Sequence, residues 1–245
     1  MVTDAELIDR GIATALASWE QNAMGSAGAR LVRHPGAAVA VFPSEPERGF
    51  FNNAILDADL APRTRATALD AIAADYKAAG VAEFAVWTHP GDDAAADELI
   101  ARGYRLNETT LAMGLDLERA TVAEPQLEVQ RGDWDEYVRI LGVPGFLPAA
   151  DPSAYFVVVG RVDGENVGSA MAFDHDGDCG IFNVGTEERA RRRGVGTAMV
   201  ARLLLDARER GCETATLQST PIGEGVYGAL GFISLGTIRE FVPQL

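Results

Sequence analysis

The 245-residue chain is poor in cysteine, in histidine and in long hydrophobic segments. Its two cysteines, Cys179 and Cys212, exclude a disulfide scaffold. Its three histidines show no metal-ligand spacing, so we expect no metal site. The longest apolar runs, such as residues 37–42, are far shorter than a membrane span, and we expect no membrane partner.

Basic residues are also scarce, with 21 Lys and Arg against 36 Asp and Glu and a net charge of −15. This balance argues against nucleic acid as a partner, because phosphates need a basic face. It is compatible with a cationic substrate. The first 20 residues lack the basic start and apolar core of a signal peptide, which predicts a cytoplasmic location.

Length and composition predict two domains. Hydrophobic residues make up 47% of the chain, which is typical of a globular protein. At about 150 residues per domain, the chain holds one large domain or two small ones. Residues 117–125 are of mixed polarity and end in Pro125, so we place a boundary between residues 120 and 121.

The second half has the pattern of a mixed α/β domain with the order β-α-β-β-β-α-β-α-β. Hydrophobic patterning predicts strands at residues 127–131, 155–162, 167–173, 181–186, 213–218 and 232–242. Helices are predicted at residues 133–141, 194–210 and 220–230, with Asp133 as an N-cap, Gly211 as a C-cap and Pro221 in the first turn. The later strands alternate with helices, which implies locally parallel pairing.

The first half is similar to the second at an offset of 131 residues. Phe51-Asn52 then falls on Phe182-Asn183, and a helix predicted over residues 66–79 falls on residues 197–210. Two-residue matches arise easily by chance. The matching order of elements nevertheless favours two tandem domains of one fold.

One stretch between a predicted strand and a predicted helix carries recognisable chemistry: Arg191-Arg192-Arg193-Gly194-Val195-Gly196-Thr197. Glycines at a helix start leave backbone N–H groups bare at the positive end of the helix dipole, which suits a pyrophosphate. The arginines add donors and positive charge. A solvated basic loop is the alternative for an isolated cluster of this kind.

In its context, this loop resembles the acetyl-coenzyme A (acetyl-CoA) loop, Arg-x-x-Gly-x-Gly, of the GNAT superfamily of N-acetyltransferases. A second signature follows, because Tyr227-Gly-Ala-Leu-Gly-Phe232 matches that family's Tyr-x-x-x-Gly-Phe. Thr220 replaces the usual asparagine before it. The resemblance covers residues 127–242. It implies an α/β fold of two tandem GNAT-like acyl-CoA N-acyltransferase domains, with a degenerate, structural one at residues 1–120 and a catalytic one at residues 121–245.

The resemblance also implies a role for each motif residue. Backbone groups of Val184 and Thr186 would pair with the pantetheine amides, and Gly185 would form a bulge that splays its strand from the next one. Tyr227 would protonate the departing thiolate. The implied cofactor-binding residues are Val184, Gly185, Thr186, Arg191, Arg192, Arg193, Gly194, Val195, Gly196, Thr197 and Thr220.

The acceptor is expected to be a primary amine of a small molecule or peptide, which attacks acetyl-CoA in a ternary complex. The general base stays open, and the candidates by location are Asp174, Asp178, Glu187 and Glu224. One wall of the acceptor cleft is expected from residues 134–152, which contain Pro144, Phe146, Leu147 and Pro148.

Two other functions stay open. One is a non-catalytic, CoA-binding regulatory or scaffold protein, which the glycine-rich start of the last helix favours. The other is transfer of a different acyl group, because the loop recognises phosphates and not the acyl chain. Thr220 is either a cofactor ligand or only a helix cap, and the sequence does not predict an oligomeric state.

The cofactor site is expected in the second half alone. At the offset of 131 residues, Gly194 and Gly196 correspond to Arg63 and Arg65, whose side chains would obstruct the approach of a phosphate to the backbone. The position of Tyr227 corresponds to about Leu99. We therefore expect the first half to bind no cofactor and to have a structural role.

Overall fold

The computed structural model of the chain describes residues 2–46, 51–142 and 151–244. The helices in these ranges are α1 (Asp4–Met24), α2 (Pro62–Ala79), α3 (Asp93–Ala101), α4 (Trp134–Leu141), α5 (Val195–Arg210) and α6 (Glu224–Gly228). The strands are β1 (Arg30–His34), β2 (Ala37–Val41), β3 (Asn53–Leu56), β4 (Ala85–Trp87), β5 (Tyr104–Asp116), β6 (Val129–Arg131), β7 (Phe156–Val162), β8 (Glu165–His175), β9 (Asp178–Thr186), β10 (Thr214–Ser219) and β11 (Ile233–Pro243). None of the helices in this described part is long and apolar enough to cross a membrane.

The chain divides into two compact units. The first contains the N-terminal segment as far as Ser18 together with Leu111–Leu235, and the second contains Trp19–Thr110 together with the segment from Gly236 onward. These units differ from the predicted halves 1–120 and 121–245. The beginning of the chain belongs to the unit built from the second half, and its last residues belong to the other unit.

Part of this difference arises because the last strand of each half pairs with a strand of the other half. Residues 111–116 of β5 pair antiparallel with residues 214–219 of β10. Two residues near the end of β11, Glu240 and Phe241, pair antiparallel with β4. Each half therefore contributes its last strand to the unit formed mainly by the other half.

The first unit is a mixed sheet in the order β5-β10-β9-β8-β7-β6, in which β9 and β10 are parallel. Helix α5 packs closely on one face, because a Cβ at Gly160 of β7 would lie 2.6 Å from Val195 Cγ1. Val159 points to the opposite face, where a Cβ at Gly132 would meet it at 2.8 Å. Since Gly132 leads into α4, helices α4 and α5 cover opposite faces of this sheet.

The second unit contains the strand order β1-β2-β3-β4-β11, with β3 and β4 parallel. Helix α2 packs against β2 and β3. Its Tyr76 is fully buried, stacks on Phe84 with ring centroids 4.1 Å apart and donates its hydroxyl to the carbonyl of Ala40 at 3.0 Å. This side chain anchors the helix on the sheet.

The two predicted helix caps are confirmed. Asp133 caps α4 by accepting a hydrogen bond from the Glu136 N–H at 2.8 Å, and Gly211 ends α5 with φ 92°. Gly80 ends α2 in the same left-handed conformation, 131 residues earlier. These positions agree with the offset between the halves, and a tandem repeat of one fold stays a prediction.

The helix predicted over residues 220–230 is wrong in its extent. Helix α6 covers only Glu224–Gly228, and residues 221–223 form a turn. Gly223 and Gly225 weaken the start of a helix, because glycine loses the most backbone entropy when it is ordered. Thr220 is not the cap, since Gly223 holds that position and no side chain caps the helix.

Candidate functional site

Strands β9 and β10 separate partway along their length. They pair in parallel from Asp178 with Thr214 to Ile181 with Leu217, where the pairing ends although β9 continues to Thr186. Just beyond that point Asn183 has φ 52°, and the register of β9 against β8 shifts. Beyond that point the two neighbouring strands are not paired with each other, and we call this unpaired stretch between them the slot.

The bulge that we predicted at Gly185 is observed at Asn183, two residues earlier. Gly185 pairs with Ser169, whereas the register shift falls on the β9 residues between Phe182 and Gly185. Asparagine adopts the left-handed region more readily than most residues, so this bulge needs no glycine. The signal for its position was Asn183, which strand patterning alone did not single out.

The bulge shifts the alternation of side chains between the two faces of the sheet by one residue. Cys179 and Ile181 belong to the core beneath α5, and simple alternation would place Asn183 there as well. Instead Val184 packs against that core, and Asn183 donates its Nδ2 to Tyr137 Oη of α4 at 2.8 Å. The sequence analysis did not single out Tyr137 as a neighbour of this strand.

The glycine loop leads directly into α5, which begins at Val195, one residue after the predicted start at Gly194. Gly194 precedes the helix with φ 82°, and no side chain caps the helix. The first helical bond runs from the Ala198 N–H to the Gly194 carbonyl at 2.9 Å. The N–H groups of Val195, Gly196 and Thr197 are therefore the unpaired donors of a helix start.

Gly196 faces the end of β9. A Cβ built on it would lie 3.9 Å from Val184 Cγ1 and 4.0 Å from Thr186 Oγ1. Because glycine has no side chain, this space beside the bare N–H groups stays free. The arrangement fits a pyrophosphate at the helix terminus and an extended arm along the end of β9.

The arginines of the loop have different partners. Arg189 forms ion pairs with Glu165 and Glu187, and Arg193 lies 3.3 Å from Asp163. Arg191 donates its Nε to the Thr186 carbonyl at 3.3 Å. Within the described ranges, the exposed Arg192 has no partner and has φ 60°. Arg191 and Arg192 thus keep charge that no carboxylate of the described residues neutralises.

Tyr227 lies on α6 and is half-buried. Its ring meets the Phe232 ring edge-on at 6.0 Å, and burial raises the pKa of its hydroxyl. A Cβ at Gly223 would lie 3.2 Å from Tyr227 Cε2 and 2.8 Å from Ser219 Oγ, so glycine is needed beside this ring. Thr220 lies in the turn before α6, where its carbonyl accepts the Gly223 N–H at 2.9 Å.

Three of the four candidate bases have other partners. Asp174 pairs with Arg210 at 2.6 and 2.8 Å, and Glu187 pairs with Arg189. Asp178 is fully buried and accepts hydrogen bonds from three threonine hydroxyls at 2.7–2.8 Å. Burial raises the pKa of Asp178. Glu224 is exposed on α6.

The acceptor wall is only partly visible. Trp134 at the start of α4 stacks on Tyr137 and on Tyr155, with centroid distances of 5.0 and 5.2 Å. The predicted wall residues Pro144, Phe146, Leu147 and Pro148 lie outside the described residues.

Neither cysteine is suited to nucleophilic chemistry. Burial raises the pKa of Cys179 well above its ordinary value, and burial and Asp174 raise that of Cys212 to about 12. A thiolate is the reactive form, so both groups are inert near neutral pH. Across residues 2–46, 51–142 and 151–244, no three His, Cys, Asp or Glu side chains cluster in a way that could hold a metal ion.

The positions of the second unit that correspond, at the offset of 131 residues, to the start of α5 and the end of β9 have a different structure. Arg65, which corresponds to Gly196, is buried and donates to Glu98 Oε2 at 2.8 Å and to the Leu60 carbonyl at 3.1 Å. Strands β3 and β4 stay paired through Ile55, where the corresponding part of β9 has left β10. The second unit therefore has a side chain at the helix start and paired strands in place of the slot.

Comparisons with known proteins agree with this geometry. The sequence profile of the acetyltransferase (GNAT) family matches residues 117–232, a segment that includes both the start of α5 and Tyr227. Among curated protein sequences, none matches the chain.

Solved structures give the same fold. A GCN5-related N-acetyltransferase from Kribbella flavida has a TM-score of 0.71 at 20% identity, with 96% of each chain covered. One from Sphaerobacter thermophilus has a TM-score of 0.60 at 16% identity, with 98% of this chain and 93% of that chain covered. The mixed α/β fold is thus that of GNAT acyltransferases, and residues 117–232 of this chain belong to the acetyltransferase (GNAT) family.

Proposed function

We propose that the chain transfers an acetyl group from acetyl-CoA to a primary amine of a small molecule or peptide. The observation that carries this proposal is the slot between β9 and β10, which leads to the uncapped, glycine-flanked start of α5. The slot accommodates an extended arm with amide groups, and the start of α5 accommodates a pyrophosphate. The family of residues 117–232 supports the same chemistry.

Each predicted cofactor residue has a part in this proposal. Val184, Gly185 and Thr186 offer backbone groups to the pantetheine arm. The N–H groups from Arg192 to Thr197 bind the pyrophosphate, and the charges of Arg191 and Arg192 add to the attraction. Thr220 contacts the cofactor from the turn before α6.

The neutral amine attacks the thioester carbonyl directly, so a C–N bond forms as the C–S bond breaks, the nitrogen gives up one proton to water, and the sulfur leaves as the thiolate of CoA. Tyr227 hydrogen-bonds the departing sulfur. A thiol has a pKa near 8.5 and a tyrosine near 10, so complete proton transfer is uphill by roughly 2 kcal/mol. Burial raises the pKa of Tyr227 further, which favours a hydrogen bond that strengthens as sulfur gains charge over complete transfer.

A second function, a non-catalytic CoA-binding protein, is favoured by one observation. Helix α6, which carries Tyr227, has only five residues and a glycine-rich start. Transfer of another acyl group also remains compatible with a loop that recognises phosphates.

The deciding experiment has two measurements on the full chain. The first is the thermal unfolding midpoint with and without acetyl-CoA, which should rise by several degrees at about 100 times the Kd. The second is release of free CoA thiol when a panel of primary amines is added. Release supports the acetyltransferase, binding without release supports the scaffold protein, and no binding contradicts both.

A further inference from the structure

Three polar groups beside the β9 bulge have unused hydrogen-bonding capacity. Tyr137 Oη accepts from Asn183 Nδ2 at 2.8 Å, which leaves the tyrosine proton and Asn183 Oδ1 without partners in the described part of the chain. Ser169 is fully buried, and its Oγ has no hydrogen-bond partner there either. The unsatisfied hydroxyl of the buried Ser169 calls for an explanation, because such groups are rare in folded proteins.

The three groups lie on one face of the sheet. Ser169 pairs with Val159, which faces α4, and also with Gly185 on β9. Asn183 reaches Tyr137 of α4, while its neighbour Val184 faces α5. The groups therefore gather on the α4 face, where β9 leaves β10.

The second unit provides an internal comparison. Asn52 corresponds to Asn183, but its Oδ1 accepts the Phe42 N–H at 2.7 Å and its Nδ2 donates to the Glu45 carbonyl at 3.0 Å. Both the oxygen and the nitrogen of the Asn52 side chain therefore form hydrogen bonds with backbone groups. Asn183 uses only its nitrogen, which donates to the Tyr137 side chain, and its oxygen has no partner in the described ranges.

We propose that Asn183, positioned by Tyr137, accepts a hydrogen bond from the N–H of the acceptor amine, and that the acceptor is a primary amine of low pKa, such as an α-amino group. This inference rests on the proposed acetyl transfer. A carboxamide oxygen orients an amine but takes no proton from it near neutral pH. Asn183 and Tyr137 carry no charge that would hold a proton on the amine, so they favour the neutral amine, which is the form that has a lone pair for attack.

The carboxylates of β8 and β9 do not change this reasoning. Glu165 pairs with Arg189, Asp174 pairs with Arg210, and Asp178 is held by three threonine hydroxyls. An α-amino group has a pKa near 8 and a lysine amine a pKa near 10.4, so at neutral pH far more of the former is neutral.

The test uses glycinamide as the α-amino probe and 6-aminohexanamide as the probe of high pKa. Asn183→Gly keeps the left-handed backbone but removes the carboxamide, and Tyr137→Phe keeps the ring stacked on Trp134 but removes the hydroxyl. Both variants should raise the KM for glycinamide by about tenfold, as expected for one lost hydrogen bond. Calorimetric titration of glycinamide into the protein saturated with CoA should show the same weakening without turnover.

A third variant tests the charge argument. Asn183→Asp has the same shape and tolerates the same backbone, but it places a carboxylate beside the amine. Its preference for glycinamide over 6-aminohexanamide, measured as a ratio of kcat/KM, should fall by about tenfold. Tyr76→Phe is the matched control, because it removes a buried tyrosine hydroxyl from the second unit and should leave the KM for glycinamide unchanged.

The outcomes separate this inference from the proposed function. If the wild type binds acetyl-CoA but prefers 6-aminohexanamide or acetylates neither probe, the inference is wrong, and the wider amine panel decides the proposed function. If the variants lose acetyl-CoA affinity in parallel with amine affinity, Asn183 and Tyr137 have a structural role only. An unchanged KM for glycinamide in both variants also overturns the inference.

Discussion

Gly196 in the first turn of α5 faces Thr186 at the end of β9, because a Cβ built on Gly196 would lie 4.0 Å from the threonine Oγ1. That distance is an ordinary van der Waals contact, and Gly196 is not among the glycines with positive φ. A side chain there is compatible with the fold. It would nevertheless occupy the space beside the N–H groups that we assign to the pyrophosphate.

We predict that Gly196→Glu separates stability from cofactor binding. The apo protein should be as stable as the wild type or more stable by about 0.5–1 kcal/mol, because a helix glycine is replaced and a negative charge is placed at a helix N-terminus. Acetyl-CoA should no longer raise its unfolding midpoint. Scanning fluorimetry with and without acetyl-CoA measures both effects.

The matched control is Thr64→Glu, at an exposed position in the first turn of α2. It places the same charge at a helix start in the second unit and should keep the full shift with acetyl-CoA. A full shift in Gly196→Glu would contradict the assignment of the pyrophosphate to α5.

Tyr227→Phe should lower kcat by about 10–100-fold and leave the Kd for acetyl-CoA unchanged. The substitution keeps the ring that packs against Phe232 and removes only the hydroxyl. Steady-state kinetics gives kcat, and calorimetric titration with acetyl-CoA gives the Kd. Tyr104→Phe, a half-buried tyrosine of the second unit, should change neither. An equal loss of binding and rate in Tyr227→Phe would indicate that its hydroxyl serves packing.

Local features of the site were predictable from the sequence because they depend on neighbours along the chain. The bare start of α5 and its end at Gly211 follow from glycine positions beside a helical pattern. The cap at Asp133 follows in the same way. These elements need no knowledge of distant strands.

Features that depend on distant partners were missed or misplaced. The bulge lies at Asn183, whose side chain bonds Tyr137, 46 residues away in the sequence. The exchange of β5 and β11 between the units is a choice of strand partner that local patterning does not encode. The extent of α6 was misjudged for a local reason instead, because the cost of two glycines outweighs the helical pattern.

Asp178 should make the stability of the protein dependent on pH. Its buried carboxyl accepts hydrogen bonds from Thr14, Thr214 and Thr216, and burial raises its pKa in the folded state. A raised folded pKa means that the stabilising contribution is present below the unfolded pKa of about 3.9 and is lost as the pH rises through the folded pKa.

Asp178→Asn isolates this effect, because the asparagine does not titrate. Relative to that variant, the wild type should lose stability as the pH rises from about 4 toward neutrality, by about 1.4 kcal/mol for each unit of pKa difference. Urea unfolding of both proteins at several pH values measures the difference. A pH-independent difference would mean that the carboxyl has the same pKa in both states.

Arg65→Met tests whether the second unit needs the side chain that stands where α5 has Gly196. Methionine keeps an apolar stem but removes the donors to Glu98 and to the Leu60 carbonyl, so we expect a loss of about 1–3 kcal/mol in urea unfolding. Arg102 still pairs with Glu98, which limits the cost. Arg63→Met, at an exposed position in the same turn, should change stability by no more than about 0.5 kcal/mol.

Both variants should bind one acetyl-CoA per chain, because β3 and β4 remain paired through Ile55 and offer no slot. A second acetyl-CoA bound by Arg65→Met alone would show that this arginine, and not the strand pairing, closes the first half to the cofactor.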